Sequence, residues 1–189
     1  LYTVDLSLRE KAIRKFSDLE WSYQAKLFIN LDNRVLSSKN YKPGNTSGIL
    51  KKYGISQESV CFEISERHQL QESKDAVKVL NAYRHQGFKI AVDDCGTGFS
   101  GLKVLHDTQP DFIKIDRFFI KDMERDADKR LLVSSIVNIA HIMGSMVIAE
   151  GVETIAEYYS CKSIGCDLLQ GYLVATPDLD VKQLRPQYN

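Results

Sequence analysis

Apolar residues in this chain fall into short continuous runs that end in polar groups, separated by longer stretches with helical spacing. Tyr2–Leu19 is one of the longer stretches and predicts an amphipathic helix, with Leu6, Ile13 and Phe16 among its apolar positions. Lys26–Asp32, KLFINLD, predicts a strand that ends in polar residues, and Tyr41–Gly48, holding Pro43, Gly44, Asn45 and Ser47, has loop composition. Val60–Glu66, VCFEISE, is the next predicted strand and carries two glutamates. Glu72–Gln86 predicts a helix closed by Gly87, which feeds the apolar run Lys89–Val92, KIAV. Pro110 precedes a strand at Asp111–Asp116, DFIKID. Ala127–Met143 predicts a helix before a strand at Met146–Val152, and Thr154–Ile164 a helix stopped by Gly165. Asp167–Tyr172 follows as a strand, and Asp178–Leu184 has the pattern of a short last helix.

Strand and helix alternate nearly throughout, which predicts parallel βαβ units rather than a meander. A doubly wound sheet should place a glycine-rich phosphate loop after its first strand. FINLDNRVL has none, and neither GxGxxG nor GxxxxGK[ST] occurs in the chain. The pattern therefore predicts an α/β fold of the TIM-like (β/α) barrel type. A full barrel takes about 250 residues and eight strands. Only about six strands are counted here, so the barrel is expected to be N-terminally incomplete, lacking roughly its first fifth. With no repeat and no linker, residues 1–189 are expected to form one domain.

Composition narrows the function classes. An apolar content of 43% excludes a disordered chain. Lys+Arg and Asp+Glu both total 25, so there is no overall basic field to recruit DNA or an acidic membrane. Four scattered cysteines, Cys61, Cys95, Cys161 and Cys166, do not make a disulfide scaffold. Cys61 and Cys95 sit in apolar strand contexts that favour reduced, buried thiols. Neither CxxC nor HExxH occurs and the four histidines are far apart, which argues against zinc. Leu131–Ala149 lacks charged residues over a length that would just span a bilayer. Ser134, Ser135, Asn138 and His141 make one side polar and Gly144-Ser145 breaks the run, so helix, turn and buried strand explain it better. No signal peptide precedes Leu1, a start that suggests a fragment.

The candidate chemistry centres on Lys89–Leu102, KIAVDDCGTGFSGL. Two carboxylates, Asp93 and Asp94, stand where the strand ends. Neighbouring strand side chains alternate, so one is expected to face inward and the other to lean over the rim. A pliable Gly96-Thr97-Gly98 loop follows. Asn30, Glu63, Lys114 with Asp116, Glu150 and Gln170 also lie in or at the end of predicted strands. In a parallel barrel those ends converge on one face, where such barrels put their chemistry. Several carboxylates converging there would repel one another unless cations held them.

Five segments, in order, carry a resemblance to the EAL domain family of bacterial cyclic-di-GMP phosphodiesterases: FEISE (Phe62–Glu66), DDCGTGFSGL (Asp93–Leu102), PDFIKID (Pro110–Asp116), VIAEGVET (Val147–Thr154) and LLQGYLVATP (Leu168–Pro177). Asn30 in FINLD occupies the place of the family's N-x-S asparagine. The resemblance implies a two-metal site of Mg²⁺ or Mn²⁺, with Asn30, Glu63, Asp93 and Asp94 as metal ligands and Asp93 as the bridging one. It implies that Glu150 lies at the metal-bound water, which Lys114 helps to hold and polarise. Glu66 matches the glutamate that anchors the glycine loop, Glu153 a second supporting carboxylate, and Gln170 with Asp116 the substrate side of the site. Hard oxygen ligands suit these ions, and two of them can stabilise both the attacking and leaving oxygens of a phosphodiester displacement.

The implied activity is metal-dependent hydrolysis of cyclic-di-GMP to linear pGpG. The alternative is a degenerate domain that binds the dinucleotide, or a protein partner, without cleaving it. The Glu-Ala-Leu signature itself does not occur in the chain and is expected upstream. Asp32, Cys95 and Gly101 replace a serine, an aromatic residue and a serine of the family pattern, and none removes a matched ligand. The resemblance further implies a bacterial cytoplasmic domain, tethered to a membrane only through other parts of its protein. It implies control by sensory or GGDEF domains and leaves a homodimer open.

Overall fold

The computed structural model describes residues 2–32, 44–65, 74–96, 101–178 and 180. Six strands form one sheet: β1 (Leu27–Asn30), β2 (Val60–Ser65), β3 (Lys89–Cys95), β4 (Phe112–Ile115), β5 (Met146–Ala149) and β6 (Leu168–Leu169). They pair in chain order, each parallel to the next. Among the described residues β1 and β6 are the two edges, so the sheet is an open portion of a parallel barrel. A doubly wound sheet would reverse its strand order partway, and this one does not.

The helices are α1 (Tyr2–Ser17), α2 (Asn45–Tyr53), α3 (Lys74–His85), α4 (Gly101–Thr108), the single-turn α5 (Arg117–Ile120), α6 (Ala127–Ile142) and α7 (Ile155–Ile164). The apolar stretch 131–149 is the end of α6, a turn at Gly144 and β5, as its polar side predicts. Among the described residues no helix is long and apolar enough to cross a membrane.

Three helices depart from the sequence reading. The second half of the predicted loop Tyr41–Gly48, Asn45–Gly48, lies in α2, whose composition is poor for a helix but whose Thr46 and Leu50 are buried. Packing against α1 stabilises α2 where local propensity does not. α4 and α5 were not anticipated: the sequence pattern assigns no element to residues 103–109 or 117–120. The short strand predicted ends at 150–152 and 170–172 lie outside the ladder. The stretch expected to form a last helix, 178–184, falls largely outside the described residues.

Alternation along the strands sorts the core into two layers. Phe62, Ile64, Ile90, Val92, Ile113, Ile115 and Val147 are fully or almost fully buried on the helix-facing side. Burial of each such side chain contributes about 1.5–3 kcal/mol. Cys61, Ala91, Phe112 and Ile148 form a second, smaller cluster with Phe28 on the barrel-interior side, where Phe28 meets Phe112 edge-on at 5.3 Å. These residues floor the barrel, and the next inward positions along the same strands are Asn30, Glu63, Asp93, Lys114 and Glu150.

Arg9 of α1 ties the helical layer to the strand that carries Glu63. Its guanidinium is 1% exposed, pairs with Asp5 at 2.6 Å and donates to Thr46 at 3.2 Å and Tyr83 at 3.0 Å. It also lies 4.9 Å above the ring of Phe62, so the buried charge is met from several sides. α1, α2 and α3 are thereby locked onto the outer face of β2.

Candidate active site

The inward residues at the strand ends converge on Lys114. Its ammonium lies 2.6 Å from Glu63 Oε1, 3.2 Å from Asp93 Oδ1 and 2.6 Å from Glu150 Oε1. β4 supplies Lys114 between β3, which delivers Asp93, and β5, which Glu150 directly follows, while Glu63 reaches it from β2, one strand further away. The lysine is 4% exposed and Glu63 7%. Burial alone would lower the Lys114 pKa, but the hydrogen-bonded carboxylates of Glu150 and Glu63 outweigh it and hold the ammonium above its ordinary value.

The pKa values of Glu63 and Glu150 also rise, which for an acid favours the neutral form. Burial raises the pKa of Glu63, Lys114 opposes the rise, and the charge of Asp93 adds to it. Glu150 is pushed up to about 7, chiefly by burial, with Asp93 adding and Lys114 opposing. One ammonium therefore does not satisfy the carboxylates gathered around it.

A bulge brings Asp94 into the same group. Val92 pairs with Ile113 and the next pair is Cys95 with Ile115, so Asp93 and Asp94 together stand opposite Lys114. Asp94 takes a φ of +58°, a conformation aspartate enters more readily than most residues, and its N–H donates to Asp93 Oδ1 at 3.0 Å. Simple alternation would have sent the two carboxylates to opposite faces. The bulge instead leaves ligand oxygens of Asp93, Asp94 and Glu150 all within 4.8 Å of one another. A half-buried cluster of hard oxygen donors with surplus negative charge fits a divalent cation of the Mg²⁺, Mn²⁺ or Ca²⁺ type.

The other predicted site residues are placed as follows. Asn30 ends β1 beside Glu63, its register partner, and is exposed at the rim. Gln170 directly follows β6; its N–H donates to Ala149 O at 2.8 Å and its carbonyl accepts from Val152 N at 3.0 Å. That crossing is tight, because a Cβ on Gly171 would overlap the backbone of Val152. Asp116 does not join the cluster: its Oδ1 caps α5 by accepting from Phe118 N at 2.7 Å. Glu153 turns to Arg117, whose Nη2 donates to it at 2.7 Å. Glu66 and residues 97–100 of the glycine loop lie outside the described residues.

Two contributors were not picked out from the sequence. Ser65, in register with Asp93, places its Oγ 3.5 Å from Asp94 Oδ2; the inward period Cys61, Glu63, Ser65 was the available signal. Arg117 pairs with Glu153 and lays its aliphatic stem where a Cβ on Gly151 would be, directly after Glu150. No periodicity marks that contact.

The sequence and the fold have known counterparts. Over 149 residues the chain is 34% identical to the probable cyclic di-GMP phosphodiesterase PdeA of Escherichia coli, covering 79% of this chain and 20% of that protein. It spans about a fifth of the length of such curated relatives. A calcium/cyclic-di-GMP complex of Klebsiella pneumoniae BlrP1 superposes with a TM-score of 0.86 at 34% identity, over 93% of this chain and 44% of that one. The manganese/cyclic-di-GMP complex of BlrP1 gives 0.85 at 33% identity, over 93% and 45%. The profile of the EAL domain matches residues 2–177, and with the parallel barrel sheet and the acidic rim around Lys114 it shows that this chain belongs to the EAL domain family.

Proposed function

We propose that this chain is the catalytic domain of a metal-dependent phosphodiesterase that opens cyclic-di-GMP to linear pGpG. The observation that carries the reading is the pairing of one buried ammonium, Lys114, with Glu63, Asp93 and Glu150 while Asp94 is held in the same group. Such a site is short of positive charge in a way that a purely structural ion pair is not. Its family membership and the names of its relatives support the same chemistry.

In this reading Asn30, Glu63, Asp93 and Asp94 hold Mg²⁺ or Mn²⁺. The bound ions supply the charge that stabilises the attacking and leaving oxygens of an in-line displacement. Lys114 fixes the Glu150 carboxylate at 2.6 Å and shares its other N–H groups between Glu63 and Asp93; a cation that took over those two carboxylates would free an N–H for the attacking water and the phosphate. Glu150 accepts a hydrogen bond from that water and orients it. Arg117 steadies Glu153 and the Gly151 backbone, which sets the direction in which Glu150 leaves β5. Gln170 and Asp116 would border the dinucleotide. Sensory or GGDEF domains of the same bacterial cytoplasmic protein control the site.

Chromatography of cyclic-di-GMP incubated with the intact protein tests the reading. Linear pGpG should form with Mg²⁺ or Mn²⁺, and Ca²⁺ should inhibit, because the larger ion loosens octahedral geometry. Dinucleotide that is bound yet left uncut would overturn the enzyme in favour of the receptor.

A further inference from the structure

We propose that Cys161 and Cys166 form a redox-active thiol pair, a site at which a peroxide makes a reversible disulfide across the C-terminal end of α7. The local backbone builds the site. Gly165 takes a φ of +100°, its N–H bonds to Lys162 O at 3.2 Å, and the N–H of Cys166 bonds to Cys161 O at 3.0 Å. This double closure puts the side chains at its two ends, here both cysteines, against each other. With standard bond lengths that backbone bond holds the two Cα atoms within about 7 Å, inside the range that cystine bridges span.

The two thiols are unequal. Cys161 is buried in the helix-facing core, whereas Cys166 is half-buried and reachable from the surface. The neighbouring sulfur, with burial adding to it, raises the Cys161 pKa above the ordinary thiol value, while the same neighbour lowers that of Cys166. Because a peroxide can reach Cys166 and not the buried Cys161, Cys166 is the attacking thiolate and Cys161 the resolving thiol. Cys61 and Cys95 lie in separate apolar clusters, and burial pushes the Cys61 thiol far up.

Atoms and electrons balance in two steps. The Cys166 thiolate attacks one oxygen of hydrogen peroxide, the O–O bond breaks, and a sulfenic acid and, after protonation, water result. Cys161 sulfur then attacks Cys166 sulfur; the S–S bond forms, the S–O bond breaks, and a second water leaves with the Cys161 proton. Two thiols lose two electrons and the peroxide gains them. The link spans the turn that feeds β6 and clamps it.

Peptide mapping of the full reduced chain after treatment with hydrogen peroxide is the test. Trypsin cuts after Lys162, so the peptides ending and beginning there stay joined only if the bridge has formed. The joined pair should appear first, be reversed by dithiothreitol, and leave Cys61 and Cys95 open to alkylation. Cys161→Ser should let dimedone capture a sulfenic acid on Cys166, and Cys166→Ser should abolish capture and linkage. Oxidation that begins at Cys61 or Cys95, or a Cys161 and Cys166 that both stay alkylatable, overturns the proposal.

Discussion

Lys114 Nζ and Glu150 Oε1 meet at 2.6 Å across the β4–β5 pair, and both side chains are largely withdrawn from water. The same ammonium holds Glu63 at the same distance from the other side. Removing Glu150 leaves the ammonium still paired with Glu63 and Asp93, whereas removing the lysine leaves several carboxylates facing one another.

Lys114→Ala should therefore have two separable effects. Turnover of cyclic-di-GMP should fall at least about a hundredfold, the scale of losing one positioned electrostatic group. Affinity measured calorimetrically with Ca²⁺ present should fall much less. The metal-free protein should lose about 3–5 kcal/mol of stability in denaturant titration, and Mn²⁺ should restore part of it. Unchanged turnover would reduce Lys114 to a barrel-filling residue.

Asp94 offers a way to separate charge from backbone. Asp94→Asn keeps a residue tolerant of the +58° φ but removes the carboxylate, so Mn²⁺ affinity should drop while the thermal midpoint barely moves. Asp94→Val should lose the metal and also cost about 1–2 kcal/mol, because a β-branched side chain resists that conformation. Calorimetry with Mn²⁺ beside thermal unfolding distinguishes the two.

Gly171→Ala should lower stability by about 1–3 kcal/mol and reduce turnover, since the new methyl would overlap the Val152 backbone between Glu150 and Gln170. Gly48→Ala is the matched control. That glycine lies inside α2 with open space around it, and the alanine should stabilise by about 0.5–1 kcal/mol. Thermal unfolding of both variants checks the contrast.

Glu157 gives a pH-dependent term away from the metal cluster. It accepts from the backbone N–H groups of Glu153 at 2.8 Å, Thr154 at 3.0 Å and Asp122 at 3.2 Å, completing a capping box at the start of α7. Burial acts to raise its pKa, but these donors outweigh burial and hold it below the ordinary glutamate value. A folded pKa below the unfolded one contributes stability that is complete above about pH 4.3 and is lost as pH falls through the folded value. Glu157→Gln should cost about 1–3 kcal/mol at neutral pH, with the deficit shrinking on acidification. Denaturant titrations across pH 3–7 measure this; a deficit independent of pH would mean that packing, not the carboxylate charge, explains it.

The sequence by itself determined the class of fold and the identities gathered at its rim. Parallel strands flanked by helices must be apolar on both faces, so FINLD, VCFEIS, KIAV, DFIKI and MVIA stand out as runs, and the polar residue within a run or directly after it marks its inward or terminal position. Asn30, Glu63, Asp93, Lys114 and Glu150 were legible for that reason. α2 was not, because its residues favour a loop and only burial of Thr46 and Leu50 against neighbouring elements makes it a helix. Nor was the bulge at Asp93 and Asp94, since an extra residue in one strand is defined by the partner it fails to pair with. Asp116 looked like an inward residue on the alternation of its strand, yet the chain leaves the ladder at Ile115 and the carboxylate caps a helix turn. Local pattern fixes which side chains a strand can offer; which of them share a cation, a lysine or a cap depends on register between strands distant in sequence, and that is set only when the sheet closes on its core.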